Sequence, residues 1–196
     1  MSLTLYYAPG ACSLADHIAL KEAGLDHDLV KVDLGAHKTE DGRDYYEINP
    51  KGAVPAIDRD GEVLTENVAL LIMIAETSGK LLPADGLMRY RVLESAVFIT
   101  SEVHKSFAPL FQDGTDDAKA QAKEKLSKKF ELLSGWLGDD GFIVGEAMSI
   151  ADCYLIVMCL WATKMGIELK PNLLAYLTRM SSRDAVKAAM SAEGLR

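Results

Sequence analysis

Cysteine, histidine and long apolar runs are all scarce in this chain, and each shortage closes off a class of function. The three cysteines, Cys12, Cys153 and Cys159, cannot all pair within one chain and have no CxxC spacing. Neither a disulfide framework nor a cysteine-held zinc is signalled. The four histidines, His17, His27, His37 and His104, lack any HExxH-type spacing, so no metal is expected. No apolar run approaches the roughly 20 residues of a membrane span. The opening "MSLTLYYAPG" has neither a basic region nor a long apolar one, which argues against secretion and for a reduced, cytoplasmic setting. Basic stripes with interleaved aromatics are missing too, and a net charge of -8 repels polyanions, so neither nucleic acid nor membrane is an expected partner. There is no internal repeat and no low-complexity tract.

What is present is an ordinary globular composition, 49% hydrophobic and 26% charged over 196 residues, enough for one domain or two small ones. The first 80 or so residues alternate between element types. Leu3 to Tyr7 is an apolar and aromatic strand ending at Pro9-Gly10. Leu14, Ile18, Ala19, Leu20 and Ala23 then follow one face of a helix that Gly24 stops with a left-handed cap. Asp28 to Leu34 alternates as a second strand, so a right-handed parallel crossover is expected. His37 to Asp44 reads as a polar loop. "NPKGAVPAI", Asn49 to Ile57, leads through turn residues into a strand, Asp60-Gly61 turns it into "EVLT", and Glu66 to Ser78 is patterned as a helix.

"GKLLPADG", Gly79 to Gly86, is the linker candidate, and everything after it is helical. Arg89 to Lys105, Asp116 to Leu137 and Ser149 to Met165 are three long segments, followed by Leu173 to Met180 and Arg183 to Met190. Ser149-Ile150-Ala151-Asp152 reads as a capping box with Asp in place of Glu or Gln, a structural start signal for the most apolar helix. Domains are expected over residues 1–80 and 87–196.

Cys12 stands between a turn and a helix start. Unpaired N–H groups and the positive end of the helix dipole favour an anion there, so a thiol of ordinary pKa about 8.5 is expected to be partly ionised near neutrality. Cys153 and Cys159 lie inside an apolar run and read as core. Three residues beyond Cys12 stands Ala15, not the resolving cysteine of a dithiol oxidoreductase.

Five stretches in order across nearly the whole chain carry a resemblance: "YYAPGACSLADH", "NPKGAVPAI", "TENVALL", "SEVHKSFAPLF" and "SIADCYL". The chain resembles cytosolic glutathione transferases, and among them the bacterial beta class. The resemblance implies a thioredoxin-like N-terminal domain, an all-helical C-terminal domain with the electrophile-binding side, a homodimer, and glutathione as co-substrate with no permanently bound cofactor.

It also implies a site. Cys12 matches a cysteine that lies beside the glutathione sulfur, while Tyr7 and Ser13 match groups that donate to the thiolate in other classes; Tyr7 as a packing residue and Ser13 as a helix cap remain alternatives. Val54-Pro55 matches a cis-proline corner whose backbone pairs with the tripeptide, or an edge-strand proline. Glu66 would accept the γ-glutamyl ammonium, and Asn67, where many relatives have Ser, would hold the neighbouring carboxylate; the bland alternative is an acidic first turn. His104 would reach the thiol region. The glycyl carboxylate would go to Lys38, with Lys105 as a second cation and His37 too weakly charged for the task. Val97 stands where a polar contact is expected in close relatives. Phe107, Phe111, Trp161 and Met165 would form an apolar wall for a small hydrophobic electrophile, or else core. The implied activity is conjugation of the glutathione thiolate to hydrophobic electrophiles. The alternatives are glutathione-dependent thiol-disulfide reduction through Cys12 and non-catalytic binding of glutathione or a hydrophobic ligand.

Overall fold

The computed structural model describes residues 1–137 and 141–195; residues 138–140 and 196, all inside the expected helical domain of residues 87–196, lie outside the described residues. The chain divides into two units, Met1–Lys80 with the segment from Arg183 onward, and Leu81–Ser182.

The first unit runs β1 (Leu3–Tyr7), α1 (Leu14–Ala23), β2 (Asp28–Asp33), β3 (Lys38–Thr39), a 3-10 turn at Tyr45–Glu47, β4 (Ala56–Arg59), β5 (Glu62–Thr65) and α2 (Asn67–Ser78). The strands form one sheet in the order β3-β2-β1-β4-β5, with β1 and β2 parallel and the other pairs antiparallel. This is the thioredoxin-like arrangement that the resemblance implies. The polar stretch read as a loop contains β3, because Val32 and Thr39 pair across a short hairpin.

Gly24 closes α1 at φ 72, and the Leu25 N–H reaches back to the Leu20 carbonyl. The helix is buried nearly all round, Asp16 and His17 included, not on one face as its spacing implied. Both α2 and the last helix pack on it, which leaves Lys21 as the residue of α1 that is exposed.

That last helix, α8 (Asp184–Ala192), sits with the first unit, whereas the sequence pattern places it in the helical domain. Charge explains the difference. Arg183 gives Glu22 two hydrogen bonds of 2.6 and 2.8 Å. Beyond the helix, the fully enclosed carboxylate of Glu193 accepts the Gly10 N–H at 2.9 Å and meets the His17 Nδ1 at 2.9 Å. A buried carboxylate needs such partners, and Gly10 and His17, which meet it, belong to the first unit.

The second unit comprises α3 (Gly86–Phe98), a π-helical turn at Ile99–His104 that continues it, α4 (Ala108–Phe111), α5 (Asp116–Trp136), α6 (Ile150–Lys164) and α7 (Pro171–Ser181). One long helix was expected over Arg89 to Lys105; the π-helical turn interrupts it. Its core is α6, in which every residue from Ile150 to Cys159 is buried, so Cys153 and Cys159 are core residues. Among the described residues no helix is long and apolar enough to cross a membrane.

The capping box at the start of α6 is present. Asp152 accepts from the Ser149 N–H and hydroxyl at 2.9 and 2.8 Å, from the Ile143 N–H at 2.9 Å and from the Tyr176 hydroxyl at 3.0 Å. Burial pushes its carboxyl above the usual range, and these four donors pull it back. Asp152→Ala leaves these neutral donors without an acceptor in the core of the second unit, so urea unfolding should show a loss of several kcal/mol, at about 1–3 kcal/mol for each buried donor left unpaired.

Candidate active site

The site is built around one backbone carbonyl. Tyr45, wholly buried, donates its hydroxyl to the Ala53 oxygen at 3.0 Å, and the Asn49 amide donates to the same oxygen at 2.7 Å. Asn49 also accepts the Lys51 N–H at 3.1 Å, which rounds the turn. Gly52 has to be glycine: at φ 65, a Cβ there would lie 2.6 Å from the Tyr46 ring and 3.1 Å from the His37 Nδ1. The His37 ring is packed against Tyr46 with centroids 4.5 Å apart. Thus fixed, the turn delivers the Val54-Pro55 bond, which is cis, to the start of β4.

Three of the expected residues meet at this corner. The Cys12 thiol donates to the Val54 carbonyl at 3.3 Å, and the Asn67 amide donates to the Cys12 carbonyl at 3.3 Å. The Asn67 side-chain oxygen is buried and has no hydrogen-bond partner. Beside it Glu66 opens α2 at φ 77, a conformation that a non-glycine residue adopts at a cost of about 1–3 kcal/mol and that clusters at ligand sites. Its exposed carboxylate is held by Lys51 at 2.5 Å, and the same ammonium bonds the Thr65 hydroxyl at 2.9 Å.

Cys12 is a thiol, not the partly ionised group expected from the helix start. Burial pushes it up to about 12, and the Cys12 and Ser13 N–H groups and the Asn67 side chain, which lower it, do not offset that. The neighbouring Asp16 acts in the same direction as burial when charged. Its own carboxyl, fully enclosed with neither oxygen partnered, is pushed well above the carboxylate range, so near neutrality burial is the operative cause. Dipole stabilisation of about 1 kcal/mol at a helix terminus loses to desolvation worth several.

The remaining residues of the first unit stand apart from this corner. The Ser13 hydroxyl is fully buried and turned to Ala8, accepting its N–H at 3.3 Å and donating to its carbonyl at 3.4 Å, so although Ser13 stands at the start of α1 its side chain makes no capping bond to the helix. Tyr7 is buried at the end of β1, its phenol raised by burial first and then by the charges of Glu193 and Glu40. Lys38 is exposed on β3, on an open groove lined also by Ala8, Lys31 and Glu40.

In the second unit, His104 closes the π-helical turn. Its Nδ1 lies 2.6 Å from the Tyr154 hydroxyl, and its ring meets Trp161 edge-on with centroids 5.1 Å apart. Phe111, about half exposed at 53%, meets Trp161 at 4.8 Å. Phe107 is wholly buried between Trp161 and Phe130, so it supports this surface from beneath and does not line it. Met165 caps α6 and is partly buried, Lys105 is exposed, and Val97 is exposed on α3.

Lys51, Asn49 and Tyr154 were not singled out from the sequence. Asn49 and Lys51 looked like turn residues, and nothing local distinguishes a buried bridging amide from an exposed one. Tyr154 had a usable signal: a phenol inside an apolar helix must find a polar partner. Among the described residues no group of three or more His, Cys, Asp or Glu could hold a metal ion.

Residues 11–77 match the family model "Glutathione S-transferase, N-terminal domain" and residues 94–184 match "Glutathione S-transferase, C-terminal domain". The glutathione S-transferase GstA of Escherichia coli O157:H7 is 40% identical over 201 residues, spanning 99% of this chain and 100% of the relative. A bacterial beta class glutathione S-transferase from Sphingomonas chungbukensis shares the structure with a TM-score of 0.93 at 45% identity, over 98% of this chain and 100% of that one. A sphingomonad glutathione S-transferase solved in complex with glutathione has a TM-score of 0.91 at 48% identity, with the same coverage of 98% and 100%.

With its ionisation near 12, Cys12 should alkylate slowly at neutral pH and about tenfold faster for each pH unit gained. Mass-spectrometric timing of iodoacetamide labelling at pH 7.5 should put Cys12 roughly 100-fold or more below an unburied cysteine of ordinary pKa.

Proposed function

The chain belongs to the glutathione S-transferase family, and from that premise we propose that it conjugates the thiolate of glutathione to small apolar electrophiles, working in the cytoplasm as a homodimer. The observation that carries this reading is the corner itself: Cys12, Val54 and Asn67 joined by hydrogen bonds, with Glu66 held at φ 77 at the mouth of α2. The exposed apolar side chains of α3, among them Leu87, Tyr90 and Val97, support a dimer.

Each part of glutathione has a partner of matching chemistry. The backbone at Val54-Pro55 pairs with the cysteinyl residue like an added strand. Glu66 takes the γ-glutamyl ammonium. The Asn67 side-chain nitrogen is engaged on Cys12, so the neighbouring carboxylate goes to the unpaired N–H groups that open α2, at Asn67. Lys38 takes the glycyl carboxylate. The electrophile uses the apolar surface of Phe111 and Trp161, backed by Phe107 and extended toward Met165.

The chemistry is a displacement: glutathione loses its thiol proton to water, the thiolate forms a carbon–sulfur bond, and the leaving group departs with the electron pair of the bond that breaks. What the protein supplies is fixed approach and hydrogen bonds to the anion. In the first unit the donor is Cys12, whose protonated S–H turns from the Val54 carbonyl to the thiolate; in the second unit the candidate donor is His104. Thiol-disulfide reduction would need Cys12 as the thiolate, and its burial weighs against that alternative.

Cys12→Ala should therefore keep kcat/KM for conjugation to an activated aryl halide within about tenfold of the wild type, the worth of one weak hydrogen bond, while forming no mixed disulfide with oxidised glutathione. A fall of 100-fold or more with glutathione still bound would return Cys12 to the thiolate role. Glu66→Gln should raise the dissociation constant for glutathione by about 10- to 100-fold, as loss of a charge-assisted bond does, and calorimetric titration would show it. An unchanged constant would take the ammonium away from Glu66.

A further inference from the structure

The π-helical turn at Ile99–His104 brings two of its polar side chains onto one phenol. The Thr100 hydroxyl lies 3.2 Å from the Tyr154 hydroxyl, and the His104 Nδ1 lies 2.6 Å from the same oxygen. Tyr154 is completely enclosed in α6, while Thr100 and His104 are partly buried, so the phenol reaches both from inside the core.

The direction of the bonds follows from acidity. A phenol ionises near 10 and an imidazolium near 6.5, so in a short O···N contact the phenol is the better donor and the neutral imidazole nitrogen the better acceptor. The threonine hydroxyl rotates freely and completes the chain by donating to the phenol oxygen. We propose that Tyr154 is a positioning residue that fixes His104 as the neutral tautomer with its proton on Nε2, through a donor chain running from Thr100 to Tyr154 to the His104 Nδ1.

Burial of His104, and secondarily the charge of Lys105, lowers its ionisation below the ordinary imidazole range, so the neutral form is the resting one. The Trp161 ring, edge-on at 5.1 Å, and the Tyr154 ring, edge-on at 5.9 Å, restrain the imidazole plane. The consequence depends on the reading of His104 given above. With Nδ1 occupied as an acceptor, the ring offers a ligand one donor, Nε2–H. His104 then stabilises negative charge on sulfur or a leaving atom as a hydrogen-bond donor, and takes no proton from glutathione.

Long-range 1H–15N spectra of protein labelled with 15N-histidine, recorded at pH 7.5, test this without reference to turnover. The wild type should show an unprotonated Nδ1 and a protonated Nε2 for His104, assigned with His104→Gln. Tyr154→Phe should mix the tautomers and lower kcat/KM for aryl halide conjugation by between about threefold and tenfold, with glutathione affinity unchanged. Thr100→Val, at a partly exposed position, should move the same signals in the same direction and serves if Tyr154→Phe does not fold. A wild-type spectrum with the proton on Nδ1, or with both nitrogens protonated, overturns the proposal, as does an unchanged tautomer in both variants. A mixed tautomer with unchanged kinetics supports the positioning role of Tyr154 and removes His104 from the reaction.

Discussion

Two side chains share the carbonyl oxygen of Ala53, and the first unit's site depends on that sharing. The bonds from Tyr45 and Asn49 fix Ala53, itself exposed, directly before Val54, which packs in the apolar cluster with Tyr6, Val32, Tyr45 and Ala56. The corner in turn presents the Val54 oxygen to Cys12, and Cys12 presents its own carbonyl to Asn67. A polar group buried without partners would cost a few kcal/mol, so each of these bonds constrains the next. Three segments far apart in sequence, at residues 12, 45–54 and 67, are tied by a short series of contacts to backbone oxygens.

Desolvation decides the character of the cysteine. The helix start supplies the N–H groups that would favour a thiolate, and they do act in that direction. They are outweighed because the side chain is closed in by the same packing that makes the corner rigid. Reactivity and rigidity draw on one resource at this position, access to water, and the fold commits it to rigidity.

Much of the fold was legible because it is written in local patterns. β1, α1 with its Gly24 cap, the β4–β5 hairpin and the Ser149–Asp152 box all follow from spacing and turn chemistry within a few residues. What was not legible depends on partners distant in sequence. The ionisation of Cys12 is set by enclosure and not by its neighbours in the chain. Ser13 chose Ala8, Phe107 went inward, and α8 joined the first unit because Glu22, Gly10 and His17 are there to receive Arg183 and Glu193. The π-helical turn has no composition of its own to announce it; its effect is seen in which side chains it brings to Tyr154.

The bond from Gly10 to Glu193 links residues 183 positions apart. The Pro9-Gly10 turn just ahead of Cys12 is therefore finished by a residue synthesised after the whole of the second unit. While the chain is still on the ribosome, the first 80 residues can assemble their sheet, but α1 has one side bare and His17 lacks its carboxylate. Contacts of such long range form late, because closing a long loop costs entropy before the contact returns anything. The nascent first unit must then persist as an incomplete body through the synthesis of the entire helical unit, a period in which the uncovered side of α1 is the surface that a chaperone would meet.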